Sequence, residues 1–353
     1  MKSEPEKRFL IRGDDMDIRK AIANAKAKCL AGAVLSKEEM IQLLDIAVGS
    51  EEDLFLRRAA KEAAQEITKG KGYIWCAVGM DFVPCSMNCK FCSFGEKWQV
   101  IKEPHHVTEE EILESVRRYV QGGAAYIVLR TTEFYSVDRL LSYIPVIRKE
   151  VPGDYVMILN TGEMTPQVAD KVAAGGVYGV YHALRLREGE DTPFDPALRV
   201  NTMKSVSGSP LRLISLTEPV GPEHTSEEIA EAFLNTVRCG AVIGGAMARF
   251  PVLGTPLGDT RRLTDEEMAH IVAVLRLSGG QVIRDICVHP ASPQTMESGA
   301  NVMVVESGAI PRDTDYAWKD WAKTDMQRAR TLLEDAGYTI SYVKQNQEME
   351  EER

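Results

Sequence analysis

Apolar residues recur with helical spacing over the first fifth of the chain and then give way to short apolar runs set at regular intervals. Ser36 and Glu39 form an S-K-E-E capping box ahead of a segment in which Met40, Leu43, Leu44 and Ala47 share one face. A second helix is predicted over 51–68, stopped by the KGKG of 69–72. Residues 1–72 therefore read as a helical extension. From Tyr73 the pattern changes to eight apolar runs, at 73–79, 125–130, 155–160, 178–184, 211–217, 241–249, 281–287 and 301–305. Amphipathic stretches separate them, several opened by a Thr-x-x-Glu box: Thr108 with Glu111, Thr225 with Glu228, Thr264 with Glu267. Strands alternating with helices pair in parallel through right-handed crossovers, so eight such units predict an α/β fold, a closed (βα)8 TIM-type barrel over 73–312. Residues 313–353 read as two further helices, to Tyr338, and a charged tail after Tyr342.

A chain of 353 residues is long enough for such a barrel. Its net charge of -10, with no run of Lys and Arg, argues against a nucleic-acid or anionic-membrane surface and for small-molecule chemistry. No apolar run reaches the length of a bilayer span, and the opening MKSEPEKRF lacks the apolar core of a secretory signal. A cytoplasmic protein is expected. Seven cysteines, an odd number, do not describe a disulfide framework and fit a reducing compartment. Cys29, Cys76 and Cys239 read as small buried hydrophobes.

The other cysteines are unevenly placed. Residues 84–95 read PCSMNCKFCSFG, with Cys85, Cys89 and Cys92 in a C-x3-C-x2-C spacing. On one side of a tight loop, three thiolates can each ligate a different iron of a 4Fe-4S cubane and leave the fourth iron open. An open iron can bind a small molecule through hard donors, and the cofactor that does so in radical chemistry is S-adenosylmethionine. The competing readings are a zinc knuckle, which wants a fourth ligand, and three buried cysteines. In a parallel barrel the chemistry sits at the carboxyl ends of the strands, which is where this loop follows the first run.

The spacing, with Phe91 just before the last cysteine, resembles the radical S-adenosylmethionine superfamily. The stretch 73–338 is similar to its biotin-synthase-like branch, which includes the hydrogenase maturase HydE and the methylornithine synthase PylB. The likeness is carried by GTPL at 254–257, GAN at 299–301, and Arg199 with Thr202 in RVNT. It implies a 4Fe-4S cluster on Cys85, Cys89 and Cys92, and S-adenosylmethionine cleaved by one electron to methionine and a 5'-deoxyadenosyl radical that abstracts hydrogen. It also implies a low-potential donor such as ferredoxin or flavodoxin.

Residue by residue, the resemblance places Thr131, Thr132 and Glu133 where relatives carry a Gly-Gly-Glu-like turn for the methionyl amine, and Arg199 where an arginine pairs with the methionine carboxylate. Val220, opening a V-G-P-E turn, falls at an adenine contact. The acidic residue that relatives use for the ribose is replaced in Tyr181-His182-Ala183-Leu184-Arg185-Leu186-Arg187-Glu188, so His182, Arg185 and Glu188 are the candidates there. Biotin synthase holds a second, 2Fe-2S cluster as sulfur source. At its cysteine positions this chain has Val128, Met157 or Ile158, and Ile214 or Ser215, with only an arginine retained, as Arg284.

Cys287, His289 and Arg284 are the candidate catalytic residues, Cys287 as a hydrogen-atom donor or as packing. Arg130, His182, Arg185, Arg284, Asp285 and His289 at strand ends predict a cationic mouth, suited to a small anionic or amino-acid-like substrate. Three functions follow: radical rearrangement or cleavage in cofactor or amino-acid metabolism; sulfur insertion of the biotin or lipoyl type with an external source or partner subunit; or a non-catalytic iron-sulfur or zinc protein.

Overall fold

The computed structural model describes residues 13–307 and 325–343. The helix expected within 313–324 and the tail from Lys344 lie outside the described residues. Three helices come first, α1 (Gly13–Leu30), α2 (Lys37–Leu44) and α3 (Glu51–Thr68). The Ser36–Glu39 box closes reciprocally on α2, and Lys69 ends α3 in the left-handed conformation. Strand β1 (Lys71–Gly79) leads into a short antiparallel pair, β2 (Asp81–Phe82) and β3 (His105–His106), with a 3-10 turn at Glu96–Trp98 between them.

The alternation follows: α4 (Glu109–Gly122), β4 (Tyr126–Arg130), α5 (Val137–Glu150), β5 (Val156–Asn160), α6 (Pro166–Ala174), β6 (Gly179–Tyr181) and α7 (Pro196–Ser207). Then come β7 (Arg212–Ile214), β8 (Thr217–Val220), α8 (Ser226–Arg238), β9 (Ile243–Ala248), α9 (Asp265–Gly279), β10 (Asp285–His289), α10 (Pro293–Met296) and β11 (Val302–Ser307). Helix α11 (Met326–Asp335) and β12 (Thr339–Ile340) finish the described chain.

The strands close into a parallel ring, β1-β4-β5-β6-β7-β9-β10-β11 and back to β1. The (βα)8 barrel read from the apolar runs is therefore present. β7 and β8 are two halves of its fifth wall, interrupted between Ile214 and Thr217, and β8 continues the pairing with β9 (Thr217↔Ala246, Val220↔Ala248). The seventh wall differs from expectation. The run 281–287 was expected as the strand, but Gln281 to Ile283 belong to the turn that ends α9, and the ladder begins at Asp285. Ile283 is fully buried, so it completes the apolar run without joining the sheet.

Two cores result. One lies between barrel and helices; the other fills the barrel with Trp75, Tyr126, Val128, Ile158, Ile214, Cys287 and Val304. Aromatic rings stack through its lower part, Tyr73 on Tyr126 (5.8 Å), Trp75 on Tyr126 (5.7 Å) and Trp75 against Tyr181 (6.0 Å). The helical extension is fastened to α9: buried Asp53 binds Arg57 and lies 2.8 Å from His270 Nδ1, and Arg57 also donates to Glu266 O. At the amino ends of the strands, fully buried Arg276 donates to Gly299 O, Arg284 O and Asn301 Oδ1. Asn301 in turn donates to Lys71 O and Asp285 Oδ1, so the GAN motif closes the bottom of the barrel. Cys29, Cys76 and Cys239 are buried, as expected of packing residues. Among the described residues, no helix is long and apolar enough to cross a membrane.

Candidate active site

Beyond β2 the chain forms the cysteine loop, and its own backbone holds it shut. Cys85 N–H donates to Phe94 O (2.6 Å), Glu96 N–H to Cys85 O (3.1 Å) and Cys92 N–H to Cys89 O (3.0 Å). Trp98 Nε1–H reaches back to Cys89 O at 3.1 Å. That closure needs glycine at position 95, because a Cβ there would stand 2.2 Å from the Trp98 indole nitrogen. Two distant segments clamp the loop from outside. Lys90 N–H donates to Asp191 O, and Lys90 O accepts the N–H of Leu257, the last residue of the GTPL segment.

Cys85, Cys89 and Cys92 all line one cavity of about 220 Å³ at the carboxyl ends of the strands. Burial and the neighbouring Cys92 push the Cys89 thiol up to about 12, and burial also raises Cys85. Opposite the loop, a turn is built on Thr131, Thr132 and Glu133. Asp81, nearly buried, accepts the Thr132 N–H (2.8 Å) and the Thr132 hydroxyl. Thr131 N–H donates to Asn160 O, and Thr131 Oγ1 lies 2.9 Å from Thr161 Oγ1. Gly162 lets the Glu133 carbonyl approach, since a Cβ there would meet that oxygen at 2.3 Å. Burial raises the Glu133 carboxyl against the pull of Arg199.

The remaining wall carries charges of both signs. Arg130 Nη1 donates to Glu306 Oε1 at 2.5 Å. Arg249 is clasped by both oxygens of Glu223 and donates to Thr260 Oγ1. Arg185 lies 3.8 Å from Glu218 and 3.5 Å from Glu188, over the ring of Phe194. The Tyr181 phenol, kept protonated by burial and by Glu218, donates to the Glu218 carboxylate. The predicted cationic mouth is thus replaced by a mixed one, Asp81, Glu133, Glu218 and Glu306 against Arg130, Arg185 and Arg249. Beneath these charges Trp75, Ala77, Val128, Ile214 and Val304 form an apolar floor.

Residues 82–185, which include the cysteine loop and the Thr131–Glu133 turn, match the Radical SAM superfamily. The chain carries a radical SAM domain. The chain is 25% identical to the biotin synthase of Rippkaea orientalis over 306 residues, 79% of this chain and 80% of the relative. It is 22% identical to the biotin synthase of Chlamydia abortus over 240 residues, 64% and 68% of the two chains. The same fold is seen in methylornithine synthase PylB, with a TM-score of 0.75, 17% identity, and coverage of 92% of this chain and 99% of that one. It is seen also in the FeFe-hydrogenase maturase HydG of Carboxydothermus hydrogenoformans, with a TM-score of 0.71, 16% identity, and coverage of 93% and 80%. The radical SAM domain marks an enzyme, and the sequence likeness is to biotin synthases.

The family implies a 4Fe-4S cluster and S-adenosylmethionine, and the donor set fits both. Three sulfurs line one cavity, where Cys92 helps to raise both Cys85 and Cys89, and Cys85 also raises Cys89. Among the described residues, no three Cys, His, Asp or Glu side chains converge as they do on a single ion. For the second cofactor, Phe91, Thr131, Thr132, Glu133 and Arg185 line the cavity beside the cysteines.

Other expected residues lie elsewhere. His182, Glu188, Arg199 and Val220 do not line the cavity. Arg199 stands behind its wall, donating to Ala183 O (3.2 Å) and Glu163 Oε1 (2.9 Å). Glu188 accepts the Arg185 N–H and the Thr192 hydroxyl. The Val220 carbonyl is taken by Arg249 N–H. Burial holds the His182 imidazole down at about 4, with Glu163 Oε2 3.2 Å from its Nε2. Although burial alone would raise it, His182, Arg199 and the Thr202 hydroxyl bring the Glu163 carboxyl down to about 2.

Arg284 must be corrected. β10 starts one residue later, so Arg284 and Asp285 sit at the amino end of the strand, and Arg284 is exposed, at the opposite end of the barrel from the cysteine loop. Cys287 and His289, two residues apart on the same strand, do line the cavity. Asp81, Glu218, Arg249 and Glu306 were missed. Each of the last three is a lone charge at the end of an apolar run (LISLTEPV, GAMARF, VMVVES), which in a parallel barrel marks the mouth.

Proposed function

We propose that this radical SAM enzyme takes a hydrogen atom from an unactivated carbon of a small amino-acid-like or anionic substrate, in a rearrangement or cleavage reaction of cofactor or amino-acid metabolism. The observation that carries the reading is the shared cavity: cysteine loop on one side, paired charges on the other, apolar floor beneath. Cys85, Cys89 and Cys92 would hold the cluster, and Glu133 with the carbonyls of its turn would accept hydrogen bonds from the amine of S-adenosylmethionine. When bound and reduced by a ferredoxin or flavodoxin, the cluster and S-adenosylmethionine supply one-electron cleavage of the sulfonium and hydrogen-atom abstraction.

The chain's own residues position the target carbon and keep water out. The floor of Val128, Ile214 and Val304 desolvates the aliphatic part of a substrate. The mixed charges above it suit a zwitterion better than a simple anion. Tyr181 holds its proton at Oη against Glu218, and burial keeps the Cys287 thiol protonated, so an S–H bond faces the chamber. His289 stands at the rim of the same cavity.

Sulfur insertion is disfavoured by the inward-facing residues. Of the alternatives at the second-cluster positions, Val128, Ile158 and Ile214 face the interior and are apolar, whereas Met157 joins the outer core and Ser215 pairs with Thr236 of α8. The test is anaerobic reconstitution, reduction and incubation with S-adenosylmethionine. Release of 5'-deoxyadenosine, increased by a member of an amino-acid panel, supports the reading. Fully reconstituted protein that releases none refutes it.

A further inference from the structure

The three guanidiniums in the cavity wall differ in how far their donors are used. Arg249 is clasped by the two carboxylate oxygens of Glu223 and donates to the hydroxyl of Thr260, so both of its terminal nitrogens are engaged. Arg185 Nη1 is also buried without a hydrogen bond among the described residues, but two carboxylates, Glu188 and Glu218, lie 3.5 and 3.8 Å from its guanidinium on the side of Cys89, whose thiol feels its charge. Arg130 leans on a single carboxylate among the described residues: its Nη1 is held by Glu306, and its Nη2 is buried with no hydrogen-bond partner there. Buried guanidinium donors without an acceptor are uncommon in folded proteins, and one that lines a cavity has room for a ligand.

The barrel register explains how Arg130 comes to lie there. On β1, Gly79 pairs with Arg130 of β4 and Ala77 pairs with Glu306 of β11. The two small residues between them let Arg130 cross the strand to reach Glu306, which fixes the guanidinium as a shelf over the end of β1. Val128 and Val304, two residues earlier on the flanking strands, line the same cavity below that shelf. A planar fork with an unused edge is matched by a carboxylate, and the valines beneath by a short aliphatic chain.

We propose that Arg130, held in place by Glu306, anchors a carboxylate of the substrate. The ligand class is a small carboxylic acid, amino acids included, with its aliphatic part against Val128 and Val304. This rests on the cavity being the reaction chamber of a radical SAM enzyme.

The test uses trifluoroacetate as probe, followed by its 19F line width with the reconstituted protein and S-adenosylmethionine, and trifluoroethylamine as the cationic control. Wild-type protein should broaden the carboxylate and not the amine. Arg130→Met should weaken trifluoroacetate binding at least about tenfold. Arg130→Met/Glu306→Gln should do the same without leaving Glu306 as an uncompensated charge, which covers the case in which the single variant folds poorly. Arg249→Lys should retain the broadening. No broadening by the wild type, equal broadening with Arg130→Met, or a loss that follows Arg249 instead would overturn the anchor. Nucleoside release by the wild type is read separately. Release with Arg130-independent binding sinks only the anchor, whereas no release sinks the enzymatic reading on which it rests.

Discussion

Replacing Gly162 by alanine should weaken S-adenosylmethionine binding while leaving the cluster intact. The new methyl would stand 2.3 Å from the Glu133 carbonyl oxygen and 3.1 Å from Glu133 Oε1, where ordinary contact begins near 3.4 Å. The turn must therefore retreat by about 1 Å, and it has no slack. Thr132 is bound by Asp81 through both N–H and hydroxyl, and Thr131 is tied to Asn160 O and to Thr161. Overpacking of this kind costs about 1–3 kcal/mol of stability. A displacement of about 1 Å at a site that must position a reacting ligand costs roughly 100-fold in function. Equilibrium dialysis with labelled S-adenosylmethionine reads the affinity, and iron per chain reads the cluster, whose loop is held by other contacts. An unchanged affinity alongside a lowered melting temperature would refute the assignment of this turn to the cofactor.

Burial keeps His182 at about 4 rather than its ordinary 6.5, so between those values the unfolded chain binds more protons than the folded one. Its contribution is complete above pH 6.5 and is lost as pH falls through 4, roughly 3 kcal/mol by denaturant titration, and His182→Gln should flatten that part of the profile. Arg276→Met strands two buried acceptors, Gly299 O and Asn301 Oδ1, and the part-buried Arg284 O, and should cost about 3 kcal/mol in unfolding free energy without changing iron content per folded chain. Trp98→Phe removes the hydrogen bond to Cys89 O, about 1 kcal/mol, and should speed loss of iron to a chelator. An unaltered rate would show that the indole does not hold the loop.

The barrel was legible because its signals are local. The capping boxes at Ser36, Thr108, Thr225 and Thr264 all form, and each opens the helix it was read to open. The seventh strand slipped because Val282 and Ile283 extend an apolar run whose inward and outward positions only the sheet register distinguishes. That slip carried Arg284 to the wrong end of the barrel. The cysteine spacing identified the loop, but nothing local told that GTPL clamps it through Leu257 and Lys90, or that GAN serves the opposite end. The pairs Arg130–Glu306 and Arg249–Glu223 join residues 176 and 26 positions apart, and only ring closure brings the first of them together. Arg199 and Glu188 were read as pocket residues because a buried ion pair and a ligand contact look alike in a sequence.

The central claim is that Cys85, Cys89 and Cys92 together hold a cubane with one iron left open to S-adenosylmethionine. Mössbauer and EPR spectra of the anaerobically reconstituted protein test it most directly, recorded with and without S-adenosylmethionine, beside a variant with all three cysteines changed to alanine. The account predicts about four irons per chain in one 4Fe-4S cluster, a reduced signal that shifts when S-adenosylmethionine is added, and no cluster in the variant. Tetrahedral zinc in place of iron, or a cluster that survives loss of the three cysteines, would contradict it.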